Sequence, residues 1–258
     1  MHWTQPFAAI GAAVLGMFSG LGVFGRFCLE TARATFDLRT WGPLLVIQMR
    51  RLGVDSLPIA LFLAVFTGIV LALQASYTFT GAIPLYFVGT LVGKTMMLEL
   101  GPVLAGLALS GRIGANIAAE LGTMRVSEQI DALETMAYDP MAYLVVPRIL
   151  AGILMFPIIV VFANTVGIIA GWITAINMLD MSTEQFVRGL RLFYVPFDIT
   201  YSVIKSLSFG LVITLIGCYQ GFNTMGGAEG VGAAATRAVV VAGMLILALD
   251  AFWAMVLL

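Results

Sequence analysis

Leu98-Glu99-Leu100-Gly101-Pro102 places a carboxylate and a proline inside a long apolar run of the chain. The chain then leaves its apolar phase in an acidic, amphipathic segment, Val126-Ser-Glu-Gln-Ile-Asp-Ala-Leu-Glu-Thr-Met-Ala-Tyr-Asp-Pro140. A membrane anchor alone needs neither feature, because an acid inside the membrane is costly and usually functional. The stretch 99–147 therefore indicates a transporter subunit with another protein docked beneath it.

The composition of the chain places it in a membrane. Hydrophobic residues make up 60% of the 258 residues and charged residues only 10%, whereas a soluble domain has about a quarter charged residues. The two cysteines, Cys28 and Cys218, lie in or beside apolar stretches and indicate no disulfide framework. The one histidine, His2, predicts no His/Cys metal cluster, and we expect this chain to bind no cofactor.

Five apolar stretches are long enough to predict transmembrane helices, since a helix needs about 20 residues to cross the hydrocarbon core. They cover approximately residues 57–75, 85–118, 149–176, 199–219 and 238–258. No internal repeat relates these stretches to one another, which disfavours a secondary transporter built from repeated halves.

The N-terminal segment has two interpretations. Residues 7–24 are apolar but diluted by glycines, so they could form a sixth span. Polar residues of the following segment recur at steps of three, four or seven, namely Ser19, Arg26, Glu30, Arg33 and Asp37. They share one helical face, opposite an apolar face formed by Val14, Phe18, Leu21, Phe24 and Cys28. This pattern favours an amphipathic helix in the membrane interface over about 5–40.

The placement of lysine and arginine predicts the orientation. Segments 25–52, 119–148 and 220–237 carry most of the arginines next to the predicted spans, whereas segment 76–84 has no charge. Only Arg188 and Arg191 fall in a loop on the other side. Positive charge is enriched in cytoplasmic loops, so we expect the N-terminus in the cytoplasm and the C-terminus outside.

Two glycine-rich patterns fall within apolar segments. Gly89-Thr-Leu-Val-Gly93-Lys94-Thr95 has a glycine spacing that is one residue too short for a phosphate-binding loop and follows no soluble strand. Any ATP-driven work must therefore come from another chain. The four-residue glycine spacings, of which Gly167 and Gly171 are one example, predict close helix packing.

Four charged side chains of the predicted spans are singled out here, since each costs about 2.5–3.5 kcal/mol at mid-bilayer on insertion scales. They are Lys94, Glu99, Lys205 and Asp250. Lys205 and Asp250 have no local partner of opposite sign, which predicts an interhelical charge pair. Glu99 precedes a helix-breaking Gly-Pro pair and has two interpretations: a role beside a polar cargo group or a gating hinge, or a carboxylate satisfied locally at a kink.

The acidic segment predicts a short cytoplasmic helix over about 124–138. Its apolar stripe consists of Val126, Ile130, Leu133 and Ala137. Its polar side and its end comprise Glu128, Gln129, Asp131, Glu134, Asp139 and Pro140. A helix lying on anionic lipid would prefer lysine and arginine, so the acidic character indicates a protein groove as its partner. In ATP-binding-cassette transporters, such a helix couples the ATPase to the membrane subunit.

These segments resemble the MlaE-type (YrbE-like) permease family. The resemblance rests on Glu99-Leu-Gly-Pro-Val103, Ser110-Gly-Arg-Ile-Gly-Ala115, the run from Ala119 to Pro140, Val146-Pro-Arg148, Lys205-Ser206, Thr236-Arg237 and Leu249-Asp250. It covers most of the chain after residue 40. The chain has Leu98 where some relatives carry arginine, and Lys94, about one helical turn away, is the candidate to supply the missing cation.

The resemblance implies an all-α polytopic membrane protein with a single permease domain over 1–258, comprising an N-terminal interfacial helix, a five-span bundle over about 55–258 and a cytoplasmic coupling helix. It implies a homodimeric permease of an ATP-driven phospholipid transporter that moves lipids between the inner and outer membranes of a bacterium and maintains outer-membrane lipid asymmetry. The implied partners are a cytoplasmic ABC ATPase that uses ATP, a STAS-domain subunit and a periplasmic MCE-domain protein. Nucleic acid is not among them.

On this interpretation, the cargo is a phospholipid in an apolar cavity near the dimer axis, with Glu99 and Lys94 toward its polar end. The predicted walls are Leu71, Leu73, Tyr77, Met97 and Leu98. Acyl chains need only apolar area, worth about 0.8 kcal/mol per buried methylene, so we expect broad lipid selectivity. The alternatives are a secondary transporter, an ABC permease for another cargo, and a structural scaffold subunit.

Overall fold

The computed structural model describes residues 5–79 and 83–257, with side chains from Phe18 onward, and every regular element in those ranges is helical. The α-helices are α1 Gln5–Ala34, α2 Leu38–Leu52, α3 Leu57–Thr78, α4 Phe87–Thr95, α5 Gly101–Leu109, α6 Ala115–Val126, α7 Gln129–Thr135, α8 Val146–Met178, α9 Thr183–Leu192, α10 Phe197–Phe222 and α11 Gly227–Leu257. The predicted all-α fold is confirmed.

Five continuous helical units are long and apolar enough to cross a membrane. In chain order these five spans are Leu38–Thr78, Phe87–Val126, Met141–Met178, Phe197–Phe222 and Gly227–Leu257. Each coincides with a stretch predicted from the sequence, so the protein is a polytopic membrane protein. The first span begins earlier than predicted, because α2 runs into α3 through a single 3-10 turn at Val54–Ser56.

The second span is not a uniform α-helix. Two π-helical turns, Met96–Leu100 and Ser110–Gly114, divide it into α4, α5 and α6. A third π turn, Met141–Val145, opens the third span ahead of α8. Such turns are rare and concentrate at functional sites, because each one locally rearranges the helical hydrogen bonds.

Helix α1 packs against the bundle through the end of α10. The ring of Phe24 lies 5.0 Å from that of Tyr219, and the ring of Phe27 lies 5.5 Å from it. Phe18 and Leu21, from the predicted apolar face, instead point outward and are exposed. One side of α1 thus packs against the bundle while apolar side chains on another side are exposed, which suits a helix in the membrane interface. The interfacial placement of α1 stays a prediction.

Glycines set the closest helix contacts. A Cβ atom at Gly68 in α3 would lie 1.9 Å from the carbonyl oxygen of Gly167 in α8. A Cβ atom at Gly210 in α10 would lie 2.4 Å from the carbonyl oxygen of Gly152 in α8. The third span therefore packs backbone to backbone with both the first and the fourth, in line with the close packing predicted from glycine spacing.

The two ends of the bundle differ. The arginine-rich end contains α7 and the join between α1 and α2, with Arg51, Arg125 and Arg148 nearby. The opposite end contains α9, which starts with a capping box in which Ser182 and Gln185 each accept a backbone hydrogen bond from the other. The candidate site lies between these ends.

Candidate functional site

A cluster of charged groups joins the second, fourth and fifth spans inside the bundle. The Lys205 ammonium donates to Glu99 Oε2 at 2.7 Å and to the carbonyl oxygen of Leu98 at 2.9 Å, and it also forms an ion pair with Asp250. The Lys205 side chain is 0% exposed, that of Asp250 is 20% exposed and that of Glu99 is 41% exposed. We call these four residues, together with Tyr201, the Lys205 cluster.

The backbone of the second span creates one of these contacts. In an α-helix the Leu98 carbonyl would accept from the residue four positions later, which is Pro102, and proline has no N–H. The Gly101 N–H bonds instead to the carbonyl of Met96, in the wider π turn. The Leu98 oxygen is thus free for the Lys205 ammonium, which satisfies a backbone acceptor that would otherwise be costly in a membrane.

The cluster lies within the membrane-spanning part of the chain. Lys205 comes eight residues after Phe197, where α10 begins, and Asp250 comes seven residues before Leu257, where α11 ends. At about 1.5 Å per residue, both lie about 11 Å from the opposite end of the bundle. Charges at such a depth are expensive without partners and are usually functional.

Polar side chains extend the cluster toward neighbouring helices. Trp253 Nε1 donates to Ser208 Oγ at 3.0 Å, which ties α11 to α10. The ring centre of Tyr201 lies 4.9 Å from the Lys205 nitrogen, a cation–π distance. The Tyr201 hydroxyl is buried and has no hydrogen-bond partner among the described residues.

A small crevice lies on the outer side of this region, between the second, third and fourth spans. Its volume is about 130 Å³, and it is lined by Met97, Val161, Asn164, Thr165, Ile168, Ile199 and Ser202. Asn164 Nδ2 donates to Ser202 Oγ at 3.1 Å at its base. Four of its seven lining residues are apolar, and the polar ones are Asn164, Thr165 and Ser202. Such a lining suits part of a lipid chain, and it includes the predicted wall residue Met97.

The structure differs from the sequence prediction in the partner of Lys94. Lys94 Nζ forms an ion pair with Asp198 Oδ2 at 2.7 Å, near the opposite end of the bundle. The cation beside Glu99 is therefore Lys205, 106 residues away along the chain, and not Lys94. The structure also brings Lys205 and Asp250 together, with Glu99 as a third charged member.

The predicted wall of Leu71, Leu73 and Tyr77 does not form one surface. Leu71 is buried against Val92 and other residues of α4 and α9, whereas Leu73 and Tyr77 are exposed. Residues two apart on a helix point in nearly opposite directions, which separates Leu71 from Leu73. Leu73 and Tyr77 are four apart and share a face, and that face is turned away from the cluster of buried side chains around Leu71.

The acidic segment is shorter than predicted. The helix α7 covers Gln129–Thr135, because Glu128 and Ala137 adopt left-handed φ values of 58° and 61° and break the predicted helix on both sides. Ile130 is fully buried and Leu133 packs against the core, but Val126 and Ala137 are exposed and leave the predicted stripe.

The polar residues predicted for this segment face outward. Glu128, Gln129, Asp131 and Glu134 are all exposed. Asp139 is exposed as well, and its carboxylate accepts from the Met141 N–H at 2.9 Å, so Asp139 and Pro140 begin the third span instead of ending α7. Depressions of about 440 and 430 Å³ flank α7, and both include Phe222.

A second ionic cluster, which the sequence analysis missed, lies beneath α7. Glu120 pairs with Arg51 at 2.9 Å and with the buried Arg148 at 3.1 Å, which joins the first three spans. Arg125, one turn beyond Glu120, pairs with Asp131 of α7 at 2.5 Å. The sequence contains an indication of this cluster, because Arg51, Glu120 and Arg148 each lie near the arginine-rich end of a different span. The Arg125–Asp131 pair of this cluster links α7 to the second span.

Known proteins resemble this chain over nearly its whole length. The family model described as Permease MlaE matches residues 45–256. A probable ABC transporter permease protein of Rickettsia prowazekii is 37% identical over 92% of this chain and 92% of its own length. The intermembrane phospholipid transport system permease protein MlaE of Haemophilus influenzae is 33% identical over 94% of each chain. This chain therefore belongs to the MlaE permease family.

Proposed function

We propose that this chain is the membrane-spanning permease subunit of an ATP-driven transporter that moves phospholipids between the inner and outer membranes of a bacterium and maintains outer-membrane lipid asymmetry. The observation that carries the proposal is the Lys205 cluster, a charged site at membrane depth whose most exposed charged member is Glu99. The Haemophilus relative, whose name states phospholipid transport, supports the choice of cargo.

A homodimer accounts for the exposure of Glu99. In the single chain the Glu99 side chain is 41% exposed at membrane depth. A charge facing lipid at the helix centre costs about 2.5–3.5 kcal/mol, which favours a second copy that encloses it in a polar cavity. The fifth span is largely unburied in the single chain. Its apolar surface is therefore available for this contact.

The exposed face of α7 is the proposed docking element for a cytoplasmic ABC ATPase, which would bind and hydrolyse the ATP. Its acids lie on the outer side, and the depressions beside it are open to a partner. This assignment puts the arginine-rich end in the cytoplasm, as the arginine distribution predicts. The N-terminus is then cytoplasmic, the C-terminus periplasmic, and the chain lies in the bacterial inner membrane.

The remaining partners follow from the family resemblance. We propose a STAS-domain subunit on the cytoplasmic side and an MCE-domain protein on the periplasmic side, where the lipid path continues. The α9 end of the bundle is the surface available to the second of these. Catalytic residues are not expected on this chain.

Native mass spectrometry of the complex purified from its own membrane tests this proposal. We expect two copies of this chain, an ATPase and bound phospholipid in the same particle. A particle that contains a sugar, an ion or a peptide, and no phospholipid, would overturn the proposed cargo. A chain that purifies without any ATPase would overturn the assignment as an ABC subunit.

A further inference from the structure

The Lys205 cluster carries unequal charge. It contains two carboxylates, Glu99 and Asp250, and a single ammonium, so its formal charge is −1. Lys94 does not change this balance, because it is paired with Asp198. Leu98 contributes only a carbonyl oxygen. A ligand that enters the site therefore meets excess negative charge.

The ammonium of Lys205 has no capacity left for an anion. An ammonium has three N–H donors, and three protein oxygens surround this one, from Leu98, Glu99 and Asp250. The ring of Tyr201 lies against it at 4.9 Å, and the side chain is 0% exposed. A lipid phosphate could reach Lys205 only by displacing one of these partners.

Glu99 is the most exposed charged member of the cluster, and Asp250 is the other carboxylate that is partly exposed. Its Oε2 accepts from Lys205, and no hydrogen bond from a described residue reaches its other oxygen, Oε1. The side chain of Asp250 is exposed to only half the extent of that of Glu99. The site thus offers a negatively charged hydrogen-bond acceptor to a ligand. Such an acceptor favours a positively charged donor.

We propose that the site prefers phospholipids whose headgroup carries a primary ammonium, such as ethanolamine, and that this ammonium donates to Glu99. A choline headgroup has the same charge but no N–H and binds less well, and a glycerol headgroup leaves the lipid with a net negative charge that the site repels. The inference rests on the proposed phospholipid function. It narrows the broad lipid selectivity expected from the sequence to a graded order of headgroups: ethanolamine, choline, glycerol.

The test is native mass spectrometry of the purified complex after exchange into equal amounts of phosphatidylethanolamine, phosphatidylcholine and phosphatidylglycerol of matched acyl chains. We expect phosphatidylethanolamine to be enriched about tenfold over phosphatidylglycerol, the size of one charge-assisted hydrogen bond. Glu99→Gln, which removes the charge and keeps the shape, should bring this ratio close to one. Glu184→Gln, an exposed acid of α9, is the matched control and should leave the ratio unchanged.

A second variant tests the charge balance without removing Glu99. Leu98→Arg adds a cation next to the cluster and brings its formal charge to zero, so the preference should shift toward phosphatidylglycerol. Equal occupancy by the three lipids in the original protein, or a ratio that neither variant changes, would overturn the headgroup preference alone. A complex that binds no phospholipid would overturn the proposed function as well, which keeps the two failures distinct.

Discussion

Pro102 affects the residue four positions before it. Without an N–H at position 102, the Leu98 carbonyl lacks its helical donor and accepts from Lys205, and the π turn at Met96–Leu100 accommodates the change. One proline thus builds an acceptor for a cation that comes from another span. The second span loses one helical hydrogen bond at Pro102. The contact between the Leu98 carbonyl and Lys205 replaces it and positions the charged site.

Replacing this proline should separate stability from transport. Pro102→Ala restores the N–H, which then competes with Lys205 for the Leu98 carbonyl and straightens the second span. We expect a higher unfolding temperature, since proline inside a helix costs about 3 kcal/mol, together with slower lipid transport. Thermal unfolding in detergent and transport in proteoliposomes measure the two effects. Pro157→Ala, in the third span, is the control and should leave transport unchanged. Normal transport by the Pro102 variant would contradict the role assigned to Pro102.

Lys205 should be the most sensitive single residue of the cluster. Lys205→Met leaves two carboxylates inside the bundle without a cation, and breaking a buried ion pair costs about 3–5 kcal/mol. Adding Glu99→Gln and Asp250→Asn should recover much of this loss, because no unpaired charge then remains. Thermal unfolding of the single, double and triple variants forms the cycle. Purely additive changes in stability would show that the three groups do not interact.

Among the helices, α7 is short and acidic on its exposed side, and it contacts the bundle at two points. Ile130 anchors it from below, and the Arg125–Asp131 pair attaches it to the second span. The second span continues from Arg125 through Glu120 to the Lys205 cluster at Glu99. A push on α7 therefore acts on the same helix that carries the charged site.

Charge reversal on α7 should weaken ATPase binding. Glu128→Lys and Glu134→Lys place cations where the proposed partner meets acids and leave the Arg125–Asp131 pair intact, and we expect the double variant to retain roughly a tenth of the copurified ATPase. Membrane insertion should be unchanged, because both side chains are exposed. Glu184→Lys, at the opposite end of the bundle, controls for charge reversal as such. Copurification at the original yield with both reversals present would refute the docking assignment.

The sequence predicts the elements of this protein better than their contacts. Apolar length identifies the five spans, and the cost of an isolated charge predicts a partner for Lys205. The sequence predicts Lys94 as the cation beside Glu99, and the structure has Lys205 there. That contact depends on how two spans approach each other, which periodicity within one span does not reveal. Helix geometry alone predicts that Leu71 and Leu73 point in different directions. The presence of proline at position 102 alone predicts a missing N–H there.

Across the protein as a whole, the two ends and the centre differ in the groups they carry. The arginine-rich end carries α7 with its exposed acids, the centre holds the Lys205 cluster, and the opposite end carries α9. The ion pairs of Lys205, Glu120 and Lys94 are distributed over the centre and the two ends. This arrangement fits the proposed function, in which ATP hydrolysis by a partner on one side is coupled to lipid movement in the membrane.

The most direct test of that claim is lipid transfer by the purified complex in proteoliposomes, measured with a fluorescent phospholipid in the presence of ATP or of a non-hydrolysable analogue. We expect transfer that requires hydrolysis and that falls at least about tenfold with Glu99→Ala, while bound phospholipid decreases less. Transfer at the same rate with ATP and with the analogue, or full activity of the Glu99 variant, would contradict it.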